Sequence, residues 1–134
     1  MMYNNSILIA ARSDEIFLAP LYDTLSTFHV ITIEPAFEGE LIRALKQGWY
    51  HPAVLIVSSE ICDTDICAMM TRIKAVTDAS VILTSKTYNI DHDIKAKEGA
   101  FFHYLVLPSP KEWMHRIIDK ALKAYHRKWT PLRR

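Results

Sequence analysis

Glycine is scarce, with three residues in 134 and no two of them close together. Walker-type and dinucleotide-binding loops need clustered glycines so that the backbone can turn tightly and approach phosphate, and neither class is supported. Cysteine is equally sparse: Cys62 and Cys67 are separated by four residues, with no second thiol pair. One such pair completes neither a zinc site nor a disulfide framework, so two free thiols in a reducing compartment are expected. Neither sign of charge dominates, since 16 Lys and Arg face 15 Asp and Glu for a formal net charge of +1. That balance gives no global pull toward nucleic acid or anionic membrane. No apolar run approaches the ~20 residues that cross a bilayer. Met1-Met2-Tyr3-Asn4-Asn5 lacks the basic and apolar blocks of a secretion signal, so a cytoplasmic protein is expected. The six histidines, His29, His51, His92, His103, His115 and His126, share no helical three- or four-residue spacing, and no metal or other cofactor is expected.

What the sequence does contain is five short apolar, β-branched runs: Ile7 to Ala10, Val30 to Ile33, Val54 to Val57, Val81 to Thr84, and Tyr104 to Leu107. Each reads as a strand, and three are apolar at nearly every position, as a strand covered on both faces must be. Between them lie segments with helical spacing of apolar residues: Ile16, Leu21 and Leu25; Phe37, Leu41, Ile42 and Leu45; Ile66, Met69, Met70 and Ile73; then Trp113, Ile117, Leu122 and Tyr125. The segment from Asn89 to Glu98 is a weaker helix with Ile90 and Ile94 as its anchors. Ser13 and Asp14, then Asp63 or Thr64, then Ser109 with Pro110, read as helix starts, and Pro20 should bend or restart the first helix. Gly48 and Gly99 fall where two helices should end. Strands alternating with helices pair in parallel through right-handed crossovers, so the fold class is α/β with helices on both faces of one sheet. Working residues in such sheets lie beyond the carboxyl ends of the strands. Those positions are Ala11 to Asp14, Ser58 to Glu60, Thr84 to Lys86, and Leu107 to Ser109.

Across residues 6 to 127 the chain resembles the response-regulator receiver family. The resemblance rests on Ile7-Leu8-Ile9-Ala10-Ala11-Arg12-Ser13-Asp14-Glu15-Ile16, Pro52 through Ser58, Ser80-Val81-Ile82-Leu83-Thr84-Ser85, and Gly99-Ala100 through Tyr104-Leu105-Val106-Leu107-Pro108. It implies a flavodoxin-like sheet of five parallel strands in the order 2-1-3-4-5. It also implies a receiver-like domain over residues 1–127, with 128–134 as a tail or the start of a linker. The family's chemistry uses an acceptor carboxylate, an acidic pair that holds Mg²⁺, a hydroxyl and a lysine. At the matching positions this chain has Ser58, Ala11 with Arg12, Thr84, and Leu107. A serine hydroxyl cannot form the acyl phosphate, and a fixed cation at Arg12 repels Mg²⁺. Asp14 and Glu60 are the two residues placed to supply oxygen ligands from shifted positions, although a helix cap and a solvated charge describe them better. Arg12 is expected to fold into the vacated pocket and pair with one of them.

The sequence therefore points to a degenerate receiver that is not an enzyme and that regulates by binding protein. The partner would be a separate protein, an attached effector domain such as a transcription regulator, or a second copy. The face expected to serve comprises segment 89–98, the fifth strand and the last helix, with Asp93, Lys97, Tyr104, Trp113 and Arg116 as contacts. In the family the position of Tyr104 swings between exposed and buried, and an ordinary packed tyrosine is the competing account. A rival class is a sensor of a small anion or metabolite, cradled by Arg12, Ser58 and Thr84. Catalysis at Ser58 is the weakest class, because Lys86 is the nearest base. The basic end, with Lys120, Lys123, Arg127, Lys128, Arg133, Arg134 and Trp129, reads as a solvated helix face leading to a linker. Contact with nucleic acid is assigned to a separate domain, and none with membrane is expected.

Overall fold

Strands whose every side chain is apolar must be covered twice, and the computed structural model, which describes residues 5–12 and 28–129, shows how. The strands are β1 (Ser6–Ala10), β2 (His29–Ile33), β3 (Val54–Ser58), β4 (Ser80–Ser85) and β5 (His103–Val106). All pair in parallel in the order β2-β1-β3-β4-β5. The helices described are α1 (Glu38–Lys46), α2 (Ile66–Lys74), α3 (Ile90–Lys97) and α4 (Lys111–Trp129), with a 3₁₀ turn at Ser59–Ile61. The expected first helix, with Ile16, Leu21, Leu25, Pro20 and its cap at Ser13 and Asp14, lies outside the described residues, as do Thr130 to Arg134. Helix α4 continues through Trp129.

The period of two along each strand divides the core between two sides. Ile7, Ile9, Val54, Ile56, Ile82 and Leu105 meet Met114, Ile117, Ile118, Ala121 and Leu122 of α4. Leu8, Ala10, Leu55, Val57, Val81 and Leu83 meet Leu41 and Leu45 of α1 and Met69, Met70 and Ile73 of α2. Helices α1 and α3 both end in the paired cap bonds of a left-handed glycine terminus. Gly48 (φ 76°) donates to Leu45 and Trp49 donates to Ala44; Gly99 (φ 87°) donates to Ala96 and Ala100 donates to Lys95.

Four expectations are corrected. Phe37 is not on the buried stripe of α1; it precedes the helix in extended conformation and is exposed. The cap of α2 is Asp65, whose carboxylate accepts from the Ala68 amide at 2.9 Å, not Asp63 or Thr64. Ser109 donates to the Val106 carbonyl instead of capping α4. Ile90, Ile94 and Trp113 point outward, and α3 buries no residue.

An unforeseen polar group sits in this framework. Glu38, the first residue of α1, is 1% exposed. Its Oε1 accepts from the amides of Asp63 (2.9 Å) and Thr64 (3.1 Å) and from the Thr64 hydroxyl (2.9 Å), while Oε2 pairs with Arg72. A helix N-terminus favours the carboxylate. One side chain thereby ties α1 to the β3–α2 connection and to α2. Glu38→Ala removes a buried carboxylate that accepts from two amides and a hydroxyl and pairs with Arg72, and should destabilise the fold by about 1–3 kcal/mol. Urea unfolding followed by circular dichroism measures this; a loss under half a kcal/mol would deny the clasp its role.

Candidate functional site

The carboxyl ends of β1, β3, β4 and β5 bring Ala11, Ser58, Thr84 and Leu107 to one edge, all buried. Ser58 and Thr84 are direct partners across β3 and β4. Their hydroxyls are engaged by their own chain: Ser58 Oγ accepts from the Glu60 amide at 3.1 Å, and Thr84 Oγ1 donates to the Val57 carbonyl at 3.4 Å. The Leu107 amide donates to Ser85 at 2.8 Å, which places an isobutyl group where a cation was expected to be missing.

Arg12 is exposed rather than buried in the vacated pocket. Glu60 pairs with Lys86 at 3.6 Å, and Asp14 lies outside the described residues. Magnesium needs several anionic or neutral oxygen ligands in octahedral array. A buried alanine, a guanidinium and two internally bonded hydroxyls do not fit it. Of the residues expected to cradle an anion, Arg12 is exposed while Ser58 and Thr84 are buried.

A second polar cluster lies one residue beyond Thr84. Tyr104, 8% exposed, reaches from β5 across β4 into the loop that leads to α3. Its hydroxyl lies 2.6 Å from Ser85 Oγ and 3.1 Å from the Thr87 carbonyl, and it accepts from the Asn89 amide at 2.9 Å. Ser85 Oγ also reaches the Thr87 carbonyl at 2.7 Å. Asn89 then caps α3, its Oδ1 accepting from the amides of Asp91 (2.9 Å) and His92 (3.2 Å). His92 sets its ring edge-on to Tyr104 at 5.6 Å. A hydroxyl pair thus holds the loop, and the loop holds the helix.

Tyr104 is therefore a support beneath the expected contact face and not part of its surface. Asp93 and Lys97 pair with each other at 3.4 Å, and Tyr88 donates to Asp93 at 2.7 Å. Trp113, 42% exposed, stands beside them on α4 with its ring across His103 at 6.0 Å, and Arg116 is exposed one turn on. Sequence reasoning missed Ser85 and Asn89. The second carried a signal, an asparagine just before a helix with Asp91 in its first turn. For Ser85 none existed, because its role depends on which strand lies next to β4.

No family model matches the chain, and no curated protein matches it. Solved structures do. An adenylate cyclase from Rhodopirellula baltica superposes with a TM-score of 0.75 over 94% of this chain and 93% of that one, at 16% identity. The signal receiver domain of a modulated diguanylate cyclase from Desulfovibrio desulfuricans gives 0.71 over 93% and 98%, at 20% identity. A response regulator receiver domain protein from Clostridium thermocellum gives 0.70 over 92% and 98%, at 17% identity. The chain has the receiver fold, as its sequence motifs implied.

Two outcomes follow from this geometry. Tyr104→Phe removes one hydroxyl from three neighbours and should cost about 1–2 kcal/mol, with faster amide hydrogen exchange concentrated at Thr87 to His92; uniform protection across the domain would contradict the latch. Burial lowers the affinity of His92 and His103 for a proton, so both are held neutral in the fold. A histidine with a lowered folded pKa contributes stability above its unfolded pKa and loses it as pH falls. Stability should therefore decline as pH drops from about 7 to 5, and His92→Gln with His103→Gln should flatten that decline. Asp93, held low mainly by the Tyr88 hydrogen bond, acts with the same sign but at more acidic pH.

Proposed function

We propose that this domain is a non-catalytic regulatory module that signals through a protein-binding face without being phosphorylated. The observation that carries the reading is the state of α3. Its Ile90 and Ile94 are 62% and 44% exposed, and Tyr88 beside the helix and Trp113 on α4 are exposed as well. Such outward side chains give a helix no stability of its own, yet α3 is fixed by the Tyr104, Ser85 and Asn89 bonds. A surface held in place by polar groups behind it and left apolar in front suits docking.

Support for independence from phosphate comes from the residues themselves. Ser58 offers no carboxylate for an acyl phosphate, Arg12 offers no metal site, and the latch that positions α3 is closed by hydroxyl and backbone groups alone. Ser58 as a nucleophile fares no better. Its oxygen is buried and accepts from Glu60, and Lys86 is engaged with Glu60. The solved receiver domains it resembles include the N-terminal domain of a response regulator/sensory box/GGDEF 3-domain protein, and an attached effector is a fitting output for this domain as well. A second copy is the first partner to test, because α3 offers the same patch to its twin.

Sedimentation equilibrium should show self-association that Ile90→Ser with Ile94→Ser weakens at least tenfold. A monomer at every concentration, or a dimer indifferent to the double variant, would remove the second copy as the partner. With Mg²⁺ and acetyl phosphate the intact mass should not change. A gain of one phosphoryl group at Ser58 would overturn the phosphate-free reading.

A further inference from the structure

Helix α4 carries a second surface, which borders the docking face at Trp113 and Arg116 and runs on from it along the helix. Arg116, Lys120, Lys123 and Arg127 follow one another at intervals of four, three and four residues, and all four are exposed. At about 100° per residue these positions fall within an arc of roughly 60°, and at about 1.5 Å per residue they form a ridge about 16 Å long. Lys123 pairs with Asp119 at 2.9 Å. Arg116, Lys120 and Arg127 make no ion pair with any described residue. In a chain of formal net charge +1 this is a strong local concentration of one sign. Trp113 stands on the same side of the helix, one turn before Arg116, partly open to solvent.

We propose that this ridge binds the phosphodiester backbone of single-stranded nucleic acid, with Trp113 as a stacking platform for a base. The composition selects the partner. Protein interfaces are depleted in lysine at their centre and need an apolar core, which this stripe lacks. Phosphate backbones need only a track of cations, and single strands add bases that stack on an exposed aromatic ring. A symmetric contact between two copies along this ridge would set cation against cation. Binding is independent of sequence, because the cations meet phosphates that every nucleotide carries and an aromatic ring stacks on any base.

The probe is a fluorescein-labelled oligothymidylate about a dozen nucleotides long, followed by anisotropy with the whole protein. Affinity should fall with salt, with a slope of log K against log salt of about −3 if four cations each meet a phosphate. Lys120→Glu with Arg127→Glu should weaken binding at least tenfold, and Trp113→Leu should weaken it about fivefold or more. Because these positions are exposed, both variants should melt like the parent, which circular dichroism checks. The Ile90→Ser, Ile94→Ser protein should bind the oligonucleotide normally, so this result and the docking face stand or fall separately. No binding at low salt would overturn the proposal. So would binding untouched by the charge reversal, or tighter binding to vesicles of mixed phosphatidylglycerol and phosphatidylcholine than to the oligonucleotide.

Discussion

Burial of both faces of the sheet is the constraint from which the rest of the structure follows. Once β1, β3 and β4 are apolar at nearly every position, no polar side chain can work from within the sheet, and helices must lie on either side. Chemistry is confined to the ends of the strands and to helix surfaces that face away from the core. Ser58, Thr84 and Ser85 are polar residues at the carboxyl ends of buried strands, and all three satisfy themselves within the chain. An edge that spends its hydroxyls internally has little left with which to bind or activate a ligand.

The same constraint explains why Tyr104 matters more than the substituted acceptor position. It lies on the side of the sheet shared with α1 and α2, so its ring is anchored by the core while its hydroxyl emerges at the rim. Three polar partners on the β4–α3 loop meet it there. Helix α3 has no fully buried residue, so its position depends on the partly buried Ala96, the latched Asn89 cap and the Gly99 terminus. A helix held at its ends by a handful of bonds worth about 1 kcal/mol each is the element most readily shifted by a partner.

Much of this was legible in the sequence because strand burial, helix period and glycine termini are local signals. All five strands, both left-handed glycines, and the apolar stripes of α2 and most of α4 could be read directly. What escaped was decided by tertiary neighbours. Ile90 and Ile94 have the spacing of core anchors, and nothing in their own segment reveals that both are exposed while Ala96 packs on the core. Glu38 looks like an ordinary acidic residue in the first turn of a helix; only the arrival of the Asp63 and Thr64 amides makes it a buried clasp.

The two outward surfaces also differ in a way that bears on how they would act together. Around α3 the charges alternate, with Asp93 against Lys97 and Lys95 against Glu98, leaving isoleucine as the feature a partner would read. Along α4 the cations Arg116, Lys120, Lys123 and Arg127 share one stripe, with Asp119 paired to Lys123, while Met114, Ile117, Ile118, Ala121 and Leu122 face the core. Trp113 and Arg116 stand where the two surfaces meet. An occupant of either one therefore changes the solvation and the field at the other, through side chains on one rigid helix and with no movement of the sheet. Such coupling is electrostatic and should weaken with salt, whereas docking of the isoleucines should not.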